Sequence, residues 1–136
     1  HILKFSLISP LSTYLINIFM ILYIDIDGTI CTEKKVMGKS AKDYEGAKPH
    51  MDRIAVINKL YDEGHEIHYW TARGTTSGID WTDLTTEQIT NWGCKFHHLH
   101  VGNKPHFDAY ICDKSFNSEH WFTQNLYEQI DPPEAD

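Results

Sequence analysis

Cysteine is scarce in this chain: Cys31, Cys94 and Cys112 are the only three in 136 residues. They form an odd set with no paired spacing, which excludes a disulfide framework and a cysteine-ligated zinc knuckle and fits a reducing cytoplasm. Cations are scarce as well, with 12 Lys and Arg against 19 Asp and Glu and a net charge of -7. Nucleic-acid backbones attract basic patches, so no nucleic-acid partner is expected, and an anionic substrate needs a local positive device. Internal repeats and low-complexity tracts are absent. Charge is missing altogether from Phe5 to Ile24. The end of that stretch is needed for a strand, which leaves about fifteen residues, against the ~20 that a spanning helix takes. Ser6, Ser9, Pro10, Ser12, Thr13 and Asn17 interrupt it further. A membrane span is therefore not expected. Nor is a signal peptide, since Lys4 is the one early cation and no small-x-small cleavage site follows. Residues 1–19 read as a dispensable apolar extension with Met20 as a natural start, 20–131 as one domain, and 132–136 as an acidic tail.

What is present is an ordinary globular composition, 41% hydrophobic and 23% charged, in a chain able to bury roughly two-thirds of its unfolded surface. Strand and helix patterns alternate after Met20. ILYID (21–25) is a short apolar run of the kind found in strands buried on both faces. PHMDRIAVINKLYDEG (49–64) reads as a helix, opened by Pro49 and stopped by Gly64. HEIHYWT (65–71) reads as a second strand. TTEQITNWG (85–93) reads as a second helix, with Thr85 and Gln88 at capping-box spacing. KFHHLHV (95–101) and DAYIC (108–112) read as third and fourth strands, and SEHWFTQNLYEQI (118–130) as a last helix. Such alternation implies βαβ units and a mostly parallel sheet with ligands beyond the carboxyl ends of its strands.

That rule locates an unusual pair of acids. In YIDIDGTICTE (23–33), Asp25 and Asp27 are two apart at the end of the first strand, so they face one small volume. Two solvated turn acids before a glycine would be the ordinary reading. Unpaired carboxylates beside a buried strand are costly, however, unless a cation or hydrogen bonds compensate. Thr71 in WTARG, Lys104 in VGNKPHFD and Asp113 in YICDKS fall at the ends of the next three strands. Together they supply what phosphoryl transfer needs: a carboxylate nucleophile, an acid/base, a hydroxyl and an ammonium for phosphate oxygens, and acids for Mg²⁺. A zinc site among Cys94, His97, His98 and His100 is not expected, because alternation sends His98 and His100 to one face and His97 to the other.

DIDGT (25–29), Thr71, Lys104 and Asp113 resemble, in order, the four motifs of the haloacid dehalogenase (HAD) superfamily of phosphatases. The pattern TARG, WG, GNKP and YICDK is similar to that of small capsular- and lipopolysaccharide-biosynthesis phosphatases within it. The resemblance spans about residues 20–130 and implies a capless HAD-like fold, a three-layer Rossmann-like α/β sandwich. It further implies Asp25 as nucleophile, Asp27 as acid/base, and Thr71 and Lys104 on phosphate oxygens. Mg²⁺ would be held by Asp25, the Asp27 carbonyl and Asp113. Gly28, Thr29, Ala72 and Arg73, beside the first two motifs, are the expected substrate contacts. Two positions depart from the pattern: Cys112 replaces an acid, and Asn103 is inserted into GKP.

Residues 28–49 leave room for only a small flap, so the site should be open unless a second copy of the chain covers it. A phosphorylated sugar is the expected substrate. The alternatives are a nucleotide, or a catalytically weak protein that binds phospho-ligands. A signalling receiver domain is excluded by motif order, because its phosphate acceptor lies on a later strand than its metal-binding acids.

Overall fold

Ile21–Ile24 forms the first strand, β1, and delivers the chain into the acid pair. The structure, a computed structural model, describes residues 19–33 and 43–128. The extension up to residue 18, residues 34–42 of the flap and the acidic tail lie outside these. Helix α1, Met51–Asp62, buries Ile54, Ile57 and Leu60 at helical spacing, each contributing roughly 1.5–3 kcal/mol. Asp52 in its first turn and Lys59 in its last both suit the helix dipole. Gly64, at φ 99°, ends it in the left-handed conformation, and the His65 amide bonds back to the Leu60 carbonyl at 3.1 Å.

Strand β2, Glu66–Thr71, pairs parallel with β1, placing Ile21 opposite Glu66 and Ile24 opposite Tyr69. After helix α2, Thr82–Asn91, strand β3, His98–Val101, pairs parallel with β2, His68 opposite His98 and Thr71 opposite Val101. The order is β1-β2-β3. Neighbouring parallel strands joined by right-handed crossovers carry their helices on one face. One buried cluster accordingly joins Ile24, Ile67 and Tyr69 of the sheet to Ile54, Ile57 and Leu60 of α1 and Ile89 of α2. It also takes in Trp121 of helix α3, Ser118–Thr123. Alternation sends Tyr23, His68, Trp70, His98 and His100 to the other face, where Tyr23 and the three histidines stack and Trp70 meets Tyr23 edge-on. His97 points the opposite way, against Tyr61 of α1.

Four sequence expectations need correction. DAYIC (108–112) is not a strand: it pairs with nothing in the sheet, and Ile111 is 97% exposed. The second helix starts at Thr82, because Asp80 accepts the Thr82 amide at 2.9 Å and thereby sets the first turn three residues before the expected cap. The third strand begins at His98, since Asn58 of α1 takes the Lys95 amide at 2.8 Å and draws the chain off the sheet. The last helix stops at Thr123. Asn125, at φ 54°, breaks it, and a short 3₁₀ turn follows at Leu126–Glu128. No helix among the described residues is long and apolar enough to cross a membrane.

Candidate functional site

The turn after β1 is built to present both acids. Ile26 and Ile30 are fully buried, and the amides of Thr29 and Ile30 both bond to the Ile26 carbonyl at 3.0 Å. With Ile26 anchored inward, Asp25 and Asp27 turn together toward a cavity of about 730 Å³ at the carboxyl ends of the strands. Thr71, Ala72, Arg73 and Lys104 line it, as do Trp81 and Phe107. Asp25 is held from two sides: Lys104 Nζ donates to Oδ1 at 3.1 Å, and Thr29 Oγ1 donates to Oδ2 at 3.3 Å. Burial pushes the Asp25 carboxyl above the ordinary aspartate range, against the pull of Lys104. Lys104 itself sits over the rings of Trp70 and Phe107, at 5.1 and 5.8 Å, a cation-π setting that fixes a flexible side chain.

Asp27 is held differently. Arg73 Nε and Nη2 grip its two oxygens at 2.9 and 2.8 Å, a bidentate pair with the arginine side chain wholly buried. Arg73 Nη1 donates to Thr85 Oγ1 at 3.2 Å and Gln88 Oε1 at 2.6 Å, and the guanidinium lies 4.7 Å from the Tyr44 ring centre. The side chain expected at a substrate thus has four of its five donors engaged within the protein. Thr85 and Gln88, read in the sequence as a capping box, form the socket for this guanidinium.

Thr71 is buried to 1% exposure, and its hydroxyl oxygen accepts the Arg73 amide at 3.2 Å, leaving the hydroxyl proton to be donated. Thr75 Oγ1 donates to the Lys104 carbonyl at 2.7 Å and ties the loop after β2 to the loop after β3. Burial, then the charge of Asp27, pushes the Cys31 thiol up to about 12, so this cysteine is a donor to Asp27 and not a nucleophile.

The structure therefore brings Asp25, Asp27, Thr71, Ala72, Arg73 and Lys104 to one cavity. Gly28 and Thr29 lie behind it, and Asp113, in a turn after the unpaired 108–112 segment, is not part of its lining. Sequence reasoning did not find Tyr44, Thr75, Thr85 and Gln88 as parts of the site. Tyr44 and Thr75 lie in polar loops, and the one signal for Thr85 and Gln88 was their capping-box spacing.

An open α/β architecture with acids at the carboxyl end of a parallel strand defines the class. Among solved structures, the chain is similar to a structural-genomics target from Vibrio cholerae, with 25% identity and a TM-score of 0.63 over 79% of this chain and 90% of that one. No family model matches the chain. No curated protein matches it.

Proposed function

We propose that the chain is a phosphomonoesterase of the HAD type, a capless three-layer Rossmann-like domain acting on a small sugar phosphate in the cytoplasm. A role in polysaccharide or capsule biosynthesis fits that substrate class. The observation that carries the reading is Asp25 at a cavity floor, held by Lys104 and Thr29 and facing a volume shared with Thr71. In the proposed reaction an Asp25 oxygen forms a bond to phosphorus as the P–O bond to the alcohol breaks. The leaving oxygen takes its proton from Asp27. A water, deprotonated by Asp27, then attacks the aspartyl-phosphate, and phosphate departs with Asp25 restored. Lys104 and the Thr71 hydroxyl hold phosphoryl oxygens and offset the approach of two anions. Asp27 Oδ1 accepts from both Arg73 Nη2 and Cys31 Sγ, whereas Oδ2 accepts from Arg73 Nε and keeps a second lone pair, so Oδ2 is the oxygen through which a proton is exchanged without leaving the clamp.

The acid groups at the cavity floor offer oxygen donors, which fits Mg²⁺: the Asp25 carboxylate and Asp27 carbonyl would hold it, while Asp113 lies outside the cavity lining. Bound there, Mg²⁺ would neutralise phosphoryl charge. Hydrolysis of p-nitrophenyl phosphate with and without Mg²⁺ tests the reading. Asp25→Asn should lose essentially all turnover while keeping its fold by circular dichroism. More than a few per cent residual activity would refute the covalent route. The place of Asp113 outside the cavity lining favours one second reading, a weakly catalytic phospho-ligand binder, which phosphate binding without turnover in the parent chain would support.

A further inference from the structure

The face of the sheet opposite α1 and α2 carries a second cluster of polar chemistry. Glu66 and His68, two apart on β2, point the same way, and the parallel register sets His98 of β3 directly opposite His68. The donor atoms of Glu66, His68 and His98 all lie within 4.8 Å of one another. From the structure we infer that Glu66, His68 and His98 form a site for a divalent transition metal of the zinc class, separate from the acid cavity. His68 and Glu66 stand three and five residues before Thr71 on β2, roughly 10 and 16 Å along the strand, so the site lies toward the amino end of the strands, away from the acid cavity.

Three features argue for a built site rather than a chance grouping. His68 is 7% exposed, and Tyr23 stacks on it at 4.4 Å between ring centres, which fixes the ring plane. Its Nε2 faces Glu66 Oε2 at 2.6 Å, and its Nδ1 lies 2.9 Å from His100 Nε2. A ligating histidine characteristically donates its second N–H to an acceptor that sets tautomer and orientation, and His100 occupies that position. The donor set, two imidazoles and a carboxylate without sulfur, selects borderline cations over Mg²⁺ or Ca²⁺ and leaves a fourth position for water. Bonds of about 2.0–2.1 Å bring donors to ~3.3 Å from one another in a tetrahedron. Reaching that geometry takes rotation of the half-buried Glu66 side chain, whose Oε2 must move outward from 2.6 Å, and of the exposed His98 ring, which must leave its stack on His68. The sequence hid this site because its three ligands come from two strands: alternation separated His97 from His98 and His100, but no spacing reveals which β2 residues lie opposite.

Titration of the full chain with Co²⁺ in excess Mg²⁺, followed by visible absorption, tests the site. One equivalent should bind with a tetrahedral Co²⁺ spectrum that Zn²⁺ displaces. Glu66→Gln and His98→Ala should each weaken binding by about tenfold or more, as should His100→Ala through loss of the orienting acceptor. His120→Ala on α3 and Asp25→Asn in the cavity should leave it unchanged. The inference is overturned if the parent shows no binding at one equivalent, if Glu66→Gln and His98→Ala bind as the parent does, or if Asp25→Asn alone abolishes the spectrum. Circular dichroism of each variant separates lost binding from lost fold.

Discussion

Asp25 and Asp27 are two residues apart in the chain and live in opposite surroundings. Asp25 is balanced by a lysine, and its burial still wins, so its pKa lies above the ordinary 3.8. Between 3.8 and that raised value the folded chain binds more protons than the unfolded chain. Stability from this group is thus full below 3.8 and is lost as pH rises through the folded value. Asp25→Asn should accordingly melt at a higher temperature than the parent at neutral pH in chelator, with the advantage shrinking as pH falls toward 3.8. A lower melting temperature at neutral pH would contradict the assignment of burial as the dominant influence. Asp27→Asn should behave in the reverse sense, because it leaves the wholly buried Arg73 charge without its partner. The expected cost is about 3–5 kcal/mol in urea unfolding. Asp27→Asn combined with Arg73→Met should recover part of it, since the two changes share one contact. The acids themselves were legible in the sequence, as two carboxylates after an apolar strand. The clamp was not, because the Asp27–Arg73 contact spans 46 positions and its socket residues, Thr85 and Gln88, carry a local pattern that also describes a helix cap.

At the level of elements, the βαβ units were readable because their periodicities are strong and their stops explicit, as at Gly64. DAYIC failed for a physical reason: a five-residue apolar run has strand character only when a partner edge takes its hydrogen bonds, and nothing local encodes that partner. The loop after β2 is the most constrained connection at the cavity. Gly74 has φ 82°, and a Cβ there would run into the Ile79 carbonyl. Gly74→Ala should cost more than the ~1 kcal/mol of an ordinary glycine replacement at positive φ. Under the proposed phosphatase reading it should also raise KM, because Arg73 immediately precedes it and Thr71 lies three residues before; unchanged KM together with unchanged stability would show that the loop tolerates another path.

For the whole molecule, charge sets the terms on which an anion arrives. Among the described residues, the cavity's one lysine and one arginine are each paired with an acid, Lys104 with Asp25 and Arg73 with Asp27, inside a chain of net charge -7. Raising salt should then leave kcat/KM for a phosphate monoester within about a factor of two, or increase it, where a basic cleft would show a steep fall. A steep fall would mean that an unpaired cation guides the substrate. The site's contacts also reach far along the chain: Asp25 meets Lys104 across 79 positions, and Thr75 meets the Lys104 carbonyl across 29. Loop closure over such separations comes late in folding, after local helices have formed. No fragment ending before β3 can therefore assemble the cavity, and a refolding chain should recover its helical signal before the Asp25–Lys104 contact forms. A chain still emerging from the ribosome holds Asp25 without its lysine until the loop after its third strand has docked.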